Sequence, residues 1–259
     1  MNNQIKNQGL LEQIRQGDQE ATNIVANMVR NNNLMEPQLQ NVLCAAAAGR
    51  ALPGGEAAQD LARLTAWKMP SELVLKIAAD LVAKLGDPDA AAENELVALS
   101  RTVNVLIEEG IIRNGKVIEI ADAIARGIYS TKDPKKIRAL DELKETILQR
   151  LPGSVDGDIS TIYHAAFTLA EKPNVSPSCM FNNSLRKKLE RAEAGEPNLN
   201  RMMGKDRARI VETMQWALAL KPKPLSDGDP NLPMPARKSQ APSLVKVISS
   251  TGRSLAFRP

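Results

Sequence analysis

Three side chains in this chain of 259 residues could support nucleophilic or general-base chemistry: Cys44, Cys179 and the single histidine, His164. A thiol becomes a useful nucleophile when a base lies within hydrogen-bond reach, so Cys179 with His164 is the one combination to consider. His164 follows Tyr163 in an amphipathic stretch and has no carboxylate three or four residues away to orient it. A partly buried structural histidine is expected instead. Cys44 sits in Val42-Leu43-Cys44-Ala45-Ala46-Ala47-Ala48, which predicts a reduced, buried core thiol. Two cysteines without ligand spacing argue against a zinc centre, and no EF-hand loop is present. Pro53-Gly54-Gly55-Glu56 lacks the Lys-Ser/Thr end of a phosphate-binding loop. Adjacent acids such as Glu108-Glu109 and Asp141-Glu142 diverge around a helix and read as solvated faces. The expectation is no enzyme, no metal and no cofactor.

Binding chemistry has more material. Arg186, Lys187, Lys188 and Arg191, followed by Arg201, Lys205, Arg207 and Arg209, form the densest basic region before the C-terminal tail. Such a run can follow a phosphate backbone or meet an acidic partner. Glu190, Glu193, Glu196 and Asp206 interleave with it, and only Phe181 and Trp216 are near enough in sequence to stack on bases. Charge is also uneven along the chain. Residues 221–259 carry seven basic and two acidic side chains, a surplus of +5 that leaves −1 for residues 1–220 within the total of +4. Arg237 and Lys238 of this tail complete the candidate set for nucleic acid or an acidic partner.

The elements that must hold these residues are helices. Apolar residues make up 43% of the chain but aromatics only 3%, so the core must be Leu, Ile, Val, Met and Ala, which suits closely packed helices and not a β-sandwich. The fold class read from the sequence is all-α: stacked antiparallel helical hairpins, as an irregular repeat or a bundle, with a flexible basic C-terminal tail. Residues 1–33 form a polar Asn/Gln-rich segment with short helices, 34–151 the hairpin array, 152–220 a C-terminal helical subdomain, and 221–259 a basic Pro-rich tail with room for short strands. Within the array, residues 74–81 and 117–124 share one apolar spacing, and each copy is followed by Asp-Pro (Asp87-Pro88, Asp133-Pro134) expected to open a second helix. The unit of about 35–45 residues falls in the range of HEAT and armadillo repeats. No apolar run approaches the roughly 20 residues that span a bilayer, and the first residues lack a secretory apolar core, so a soluble cytoplasmic protein is expected.

Three short resemblances stand beside this reading. Ile14-Arg15-Gln16-Gly17-Asp18-Gln19-Glu20-Ala21 resembles the opening of region 2 in extracytoplasmic-function sigma factors. That family needs an aromatic, basic promoter-melting helix next, and Asn31-Asn32-Asn33 with an Ala-rich helix follows here, so the match reads as coincidence. Residues 106–117 resemble the end of a winged helix, where a helix meets a Gly-turned wing, and a helical corner gives the same string. The amide-rich residues 1–33 resemble the uncleaved leaders of type III secreted proteins, read as two loosely held helices whose removal would spare the fold. The functional expectation is a non-enzymatic scaffold or interaction protein with a protein partner. A nucleic-acid-associated protein and a secreted bacterial effector, exported without a cleaved signal, are the alternatives.

Overall fold

Leu, Ile, Val and Ala recurring three and four residues apart produce a chain of α-helices, and no strand occurs among the described residues. The computed structural model describes residues 2–151, 158–174, 176 and 178–221. The tail with Arg237 and Lys238, and the strands expected near its end, lie outside them. No helix among the described residues is long and apolar enough to cross a membrane.

Four hairpins come first. They pair α1 (Asn2–Arg15) with α2 (Gln19–Arg30), α3 (Glu36–Gly49) with α4 (Glu56–Lys68), α5 (Ser71–Gly86) with α6 (Glu93–Glu108), and α7 (Gly115–Ser130) with α8 (Pro134–Arg138) and α9 (Asp141–Arg150). After them come α10 (Asp158–Glu171), α11 (Met180–Glu193), α12 (Pro197–Met203), a 3-10 turn over Gly204–Asp206, and α13 (Arg207–Leu218). The first two hairpins stack like on like, α1 against α3 and α2 against α4, and so do the third and fourth, α5 against α7 and α6 against α9. Between the second and third the pattern changes, because α3 packs against α6, the second helix of its neighbour. The two segments with matching apolar spacing therefore belong to helices, α5 and α7, that lie against each other. α10 covers α7, and α11 and α13 close over α10.

Small residues set how near these helices come. Ala45, Ala46 and Ala47 of α3 are fully buried. Gly49 lies so close to the end of α1 that a Cβ there would collide with the Ile14 carbonyl oxygen, and one on Gly127 would sit 3.0 Å from the Leu85 carbonyl oxygen. With few aromatic side chains to act as spacers, backbone meets backbone. This packing also corrects the expectation for the N-terminus. Ile14, Ala21, Val25 and Val29 are buried in the common core, so α1 and α2 are built into the stack.

One polar network crosses three hairpins. Arg50, at the C-terminus of α3, is 11% exposed and pairs through Nη1 with Glu108 Oε2 and through Nη2 with Glu142 Oε1 at 2.8 Å. Asn104, wholly buried, donates from Nδ2 to the same two carboxylates, Glu108 at 3.1 Å and Glu142 at 2.9 Å. Burial pulls the Arg50 pKa down, but the hydrogen bond and charge of Glu108, with Glu142 behind them, more than reverse this and hold it above its ordinary value.

Several local expectations differ from the structure for identifiable reasons. Asp87-Pro88 opens no helix; residues 87–91 form turns before α6. The buried Lys136 donates from Nζ to Pro88 O at 2.8 Å and Asp89 O at 3.0 Å, and Thr131 donates to the Asp89 carboxylate at 2.7 Å, so tertiary bonds claim this backbone. The Asp133-Pro134 copy does start a helix, capped by the Asp133 carboxylate on the Lys135 N–H. It stops at Arg138, and Ser100 takes up the Ala139 carbonyl at 3.1 Å. α11 begins at Met180, capped by the Cys179 thiol on the Asn182 N–H. Gly204, at φ +50, separates α12 from α13. Residues 111–114 form a helical corner, not a wing.

Two measurements follow from this packing. Gly49→Ala should lose about 1–3 kcal/mol in urea unfolding through overpacking, whereas Gly9→Ala, with nothing within 4 Å of the new Cβ, should gain roughly 0.5–1 kcal/mol of helix propensity. Deleting residues 1–30 should abolish cooperative thermal unfolding, because it strips the cover from Leu43 and its neighbours; a sharp, unshifted transition would contradict the packed N-terminal hairpin.

Candidate functional site

The inward stripe of α4 is Ala58, Leu61, Ala62, Thr65 and Ala66, which leaves Trp67 off the stripe and 59% exposed. The ring does not swing freely. Its Nε1 donates to Glu109 Oε2 at 3.1 Å, and Arg63, one turn earlier on α4, donates from Nε to Glu109 Oε1 at 3.0 Å. Glu109 is the C-cap of α6. An exposed indole on the second hairpin is thus tied to the end of the third. The other tryptophan, Trp216, packs inward, edge-on to Tyr129 at 6.0 Å with the Arg126 guanidinium 5.2 Å from its ring centre.

α6 ends here because Gly110 adopts φ +66, which lets the Ile111 and Ile112 N–H groups turn back to Leu106 O. Two arginines take up further carbonyls. Arg113 donates from Nε to Gly110 O, and Arg150, at the end of α9, donates from Nη2 to Glu108 O at 2.6 Å. Trp67, Glu108, Glu109, Arg113 and Arg150 line a cleft of about 390 Å³, with Ile112 and Val117 among its apolar walls.

The sequence-predicted cations divide by use. Arg191 binds Glu196 through Nε and, at 2.6 Å, through Nη2. Arg207 donates to Asn200 Oδ1 and Ala192 O, both at 2.9 Å. These two hold the corner of α11, α12 and α13 together. Arg186, Lys187, Arg201, Lys205 and Arg209 are exposed and make no ion pair among the described residues. Lys188 is half-buried.

The reactive side chains sit differently from expectation. Cys44 is half-buried, because it faces a groove bounded by Arg15 and Arg101 instead of the α3–α4 seam. His164 is exposed, its ring edge-on to Phe181 at 5.7 Å. Cys179 is half-buried and its Sγ accepts from the Asn182 N–H at 3.5 Å. No hydrogen bond joins Cys179 to His164 among the described residues. Nearby, Tyr163 is fully buried beside Thr213 and Asp122, and burial above all raises its pKa.

Trp67, Arg63, Arg113 and Arg150 were not singled out from the sequence, and Glu109, read there as part of a solvated face, is instead only 19% exposed and paired with Arg63. The signal was there for Trp67: a tryptophan that breaks the apolar stripe of its helix in a chain with almost no aromatics. Nothing in the spacing shows that residues 67, 113 and 150 meet.

The Glu196 carboxyl is held below its ordinary value chiefly by the hydrogen bond from Arg191. A folded pKa below the unfolded one contributes stability that is complete above the unfolded value, here 4.5, and is lost as pH falls through the folded value. Hydrogen exchange corrected for intrinsic rates should therefore show the Gly195–Asn200 amides losing protection below that range, and Glu196→Gln should show the same loss at neutral pH. No family model, curated protein or solved structure matches the chain.

Proposed function

We propose that the chain is a non-enzymatic binding protein whose helical stack holds a protein partner, with Trp67 at the centre of the contact. The observation that carries this reading is the indole itself, more than half exposed and locked by Glu109. Tryptophan and arginine dominate the energetics of protein contacts. A ring held in place before binding loses less entropy on association. Arg63 at its side is 55% exposed, so the patch combines a flat apolar face with a charged edge.

A second reading, association with nucleic acid through residues 186–209, is supported by the five exposed cations of that region that carry no ion pair among the described residues. A photo-crosslinking residue at position 67, with one at the exposed Leu75 as control, distinguishes the two in cells that make the protein. A discrete protein adduct from position 67 alone is the expected result. Adducts equal at both positions, together with salt-sensitive binding of generic DNA or RNA that weakens in Arg186→Gln/Arg209→Gln, would transfer the function to the basic region.

A further inference from the structure

We infer that the cleft beside Trp67 receives a carboxylate-bearing segment of the protein partner, with Arg113 and Arg150 holding the anion. This rests on the reading of Trp67 as a contact centre and adds the chemistry of what it contacts. The cleft contains two carboxylates and two guanidiniums, but they do not neutralise one another. Glu108 is bound by Arg50, and Glu109 by Arg63 and the Trp67 indole. Arg113 and Arg150 each give one N–H to a backbone carbonyl and form no ion pair among the described residues.

A guanidinium has five N–H donors, so each retains most of its donors after that single bond. Arg50 serves Glu142 as well as Glu108, and the C-terminus of α6 adds about half a negative charge. The two cations are therefore largely but not wholly offset, and the donors they keep, more than their net charge, select the ligand. The carbonyl bonds hold both side chains at the rim, and planar guanidiniums suit a carboxylate through paired hydrogen bonds. At about 390 Å³ the cleft is near the small end of ligand sites, roughly 300–1,000 Å³. It fits one or two side chains of a peptide segment. A continuous phosphate backbone suits it less well, since Glu108 and Glu109 interrupt the cations and would repel successive phosphates. An acidic residue next to an apolar one places its carboxylate on the arginines and its neighbour on the indole face.

A random-peptide phage library selected on the immobilised full-length protein tests this, with bound peptides synthesised and measured by fluorescence anisotropy. Peptides that lose affinity in Trp67→Ala are expected to be enriched in Asp and Glu. They should bind about tenfold or more weakly to Arg113→Gln and to Arg150→Gln, with the Lys substitutions at the same positions recovering part of the loss. Circular dichroism confirms that each variant stays folded. Trp67-dependent peptides without acidic enrichment, or indifferent to both arginine variants, overturn the carboxylate assignment and leave the contact centre standing. If no selected peptide depends on Trp67, both fall. Tighter capture of a random single-stranded oligonucleotide pool through the same three residues overturns the assignment in favour of phosphate.

Discussion

The position of every helix near the cleft depends on where one guanidinium finds its carboxylates. Arg50 terminates its own helix and reaches Glu108 on the third hairpin and Glu142 on the fourth. Asn104 braces both acids from within the core. Hydrophobic stripes specify register less sharply than a charge does, since cores tolerate exchanges among apolar side chains when volume and pattern are kept. A charge that is mostly buried has no such latitude: moved by one turn it loses its partners and retains its desolvation cost. The network therefore fixes the register at the point where the stacking pattern changes from like-on-like to α3 against α6. Glu108 and Glu109 are consecutive, so the register that seats the first presents the second to Trp67.

Arginine performs two kinds of work in this fold. Arg50, Arg191 and Arg207 are committed to joining elements, each with a carboxylate or a backbone carbonyl from another helix or turn. Arg113 and Arg150 are anchored by a single carbonyl apiece and form no ion pair among the described residues. Lys144 belongs to the first kind, bound between Asp141 and Glu171 so that α9 is tied to α10. Burial depresses its pKa, and those two carboxylates more than restore it. Its contribution is complete at neutral pH and fades only above the ordinary lysine range of about 10.4.

Much of the secondary structure was legible in the sequence because apolar periodicity and turn residues act locally. The segments 74–81 and 117–124, whose shared apolar spacing marked them out, lie within α5 and α7. What could not be read were local signals overruled from a distance. Asp87-Pro88 has the composition of a helix start and is held as a turn by Lys136, nearly fifty residues on. The Asn/Gln-rich N-terminus looks soluble by composition, but a few well-spaced residues, Ile14, Val25 and Val29, suffice to bury one face of each helix. The cleft was illegible for the same reason: Trp67 ends the second hairpin, Arg113 lies in the corner between the third and fourth, and Arg150 ends the fourth, and only the stacking order brings them together. The basic residues 186–209 were visible as a run, but the division between cations that brace the corner and those left outward depends on Glu196, Asn200 and the Ala192 carbonyl.

The scarcity of aromatic side chains gives the two tryptophans separate meanings as optical reporters. Trp67 stands in solvent beside a carboxylate and two arginines, so the wavelength and quenching of its emission respond to whatever covers that surface while the core stays intact. Trp216, wedged between Tyr129 and Arg126, shifts only when α13 separates from α7. With one indole replaced by phenylalanine, the remaining one reports occupancy or unfolding alone, and the chain needs no attached dye to tell the two apart.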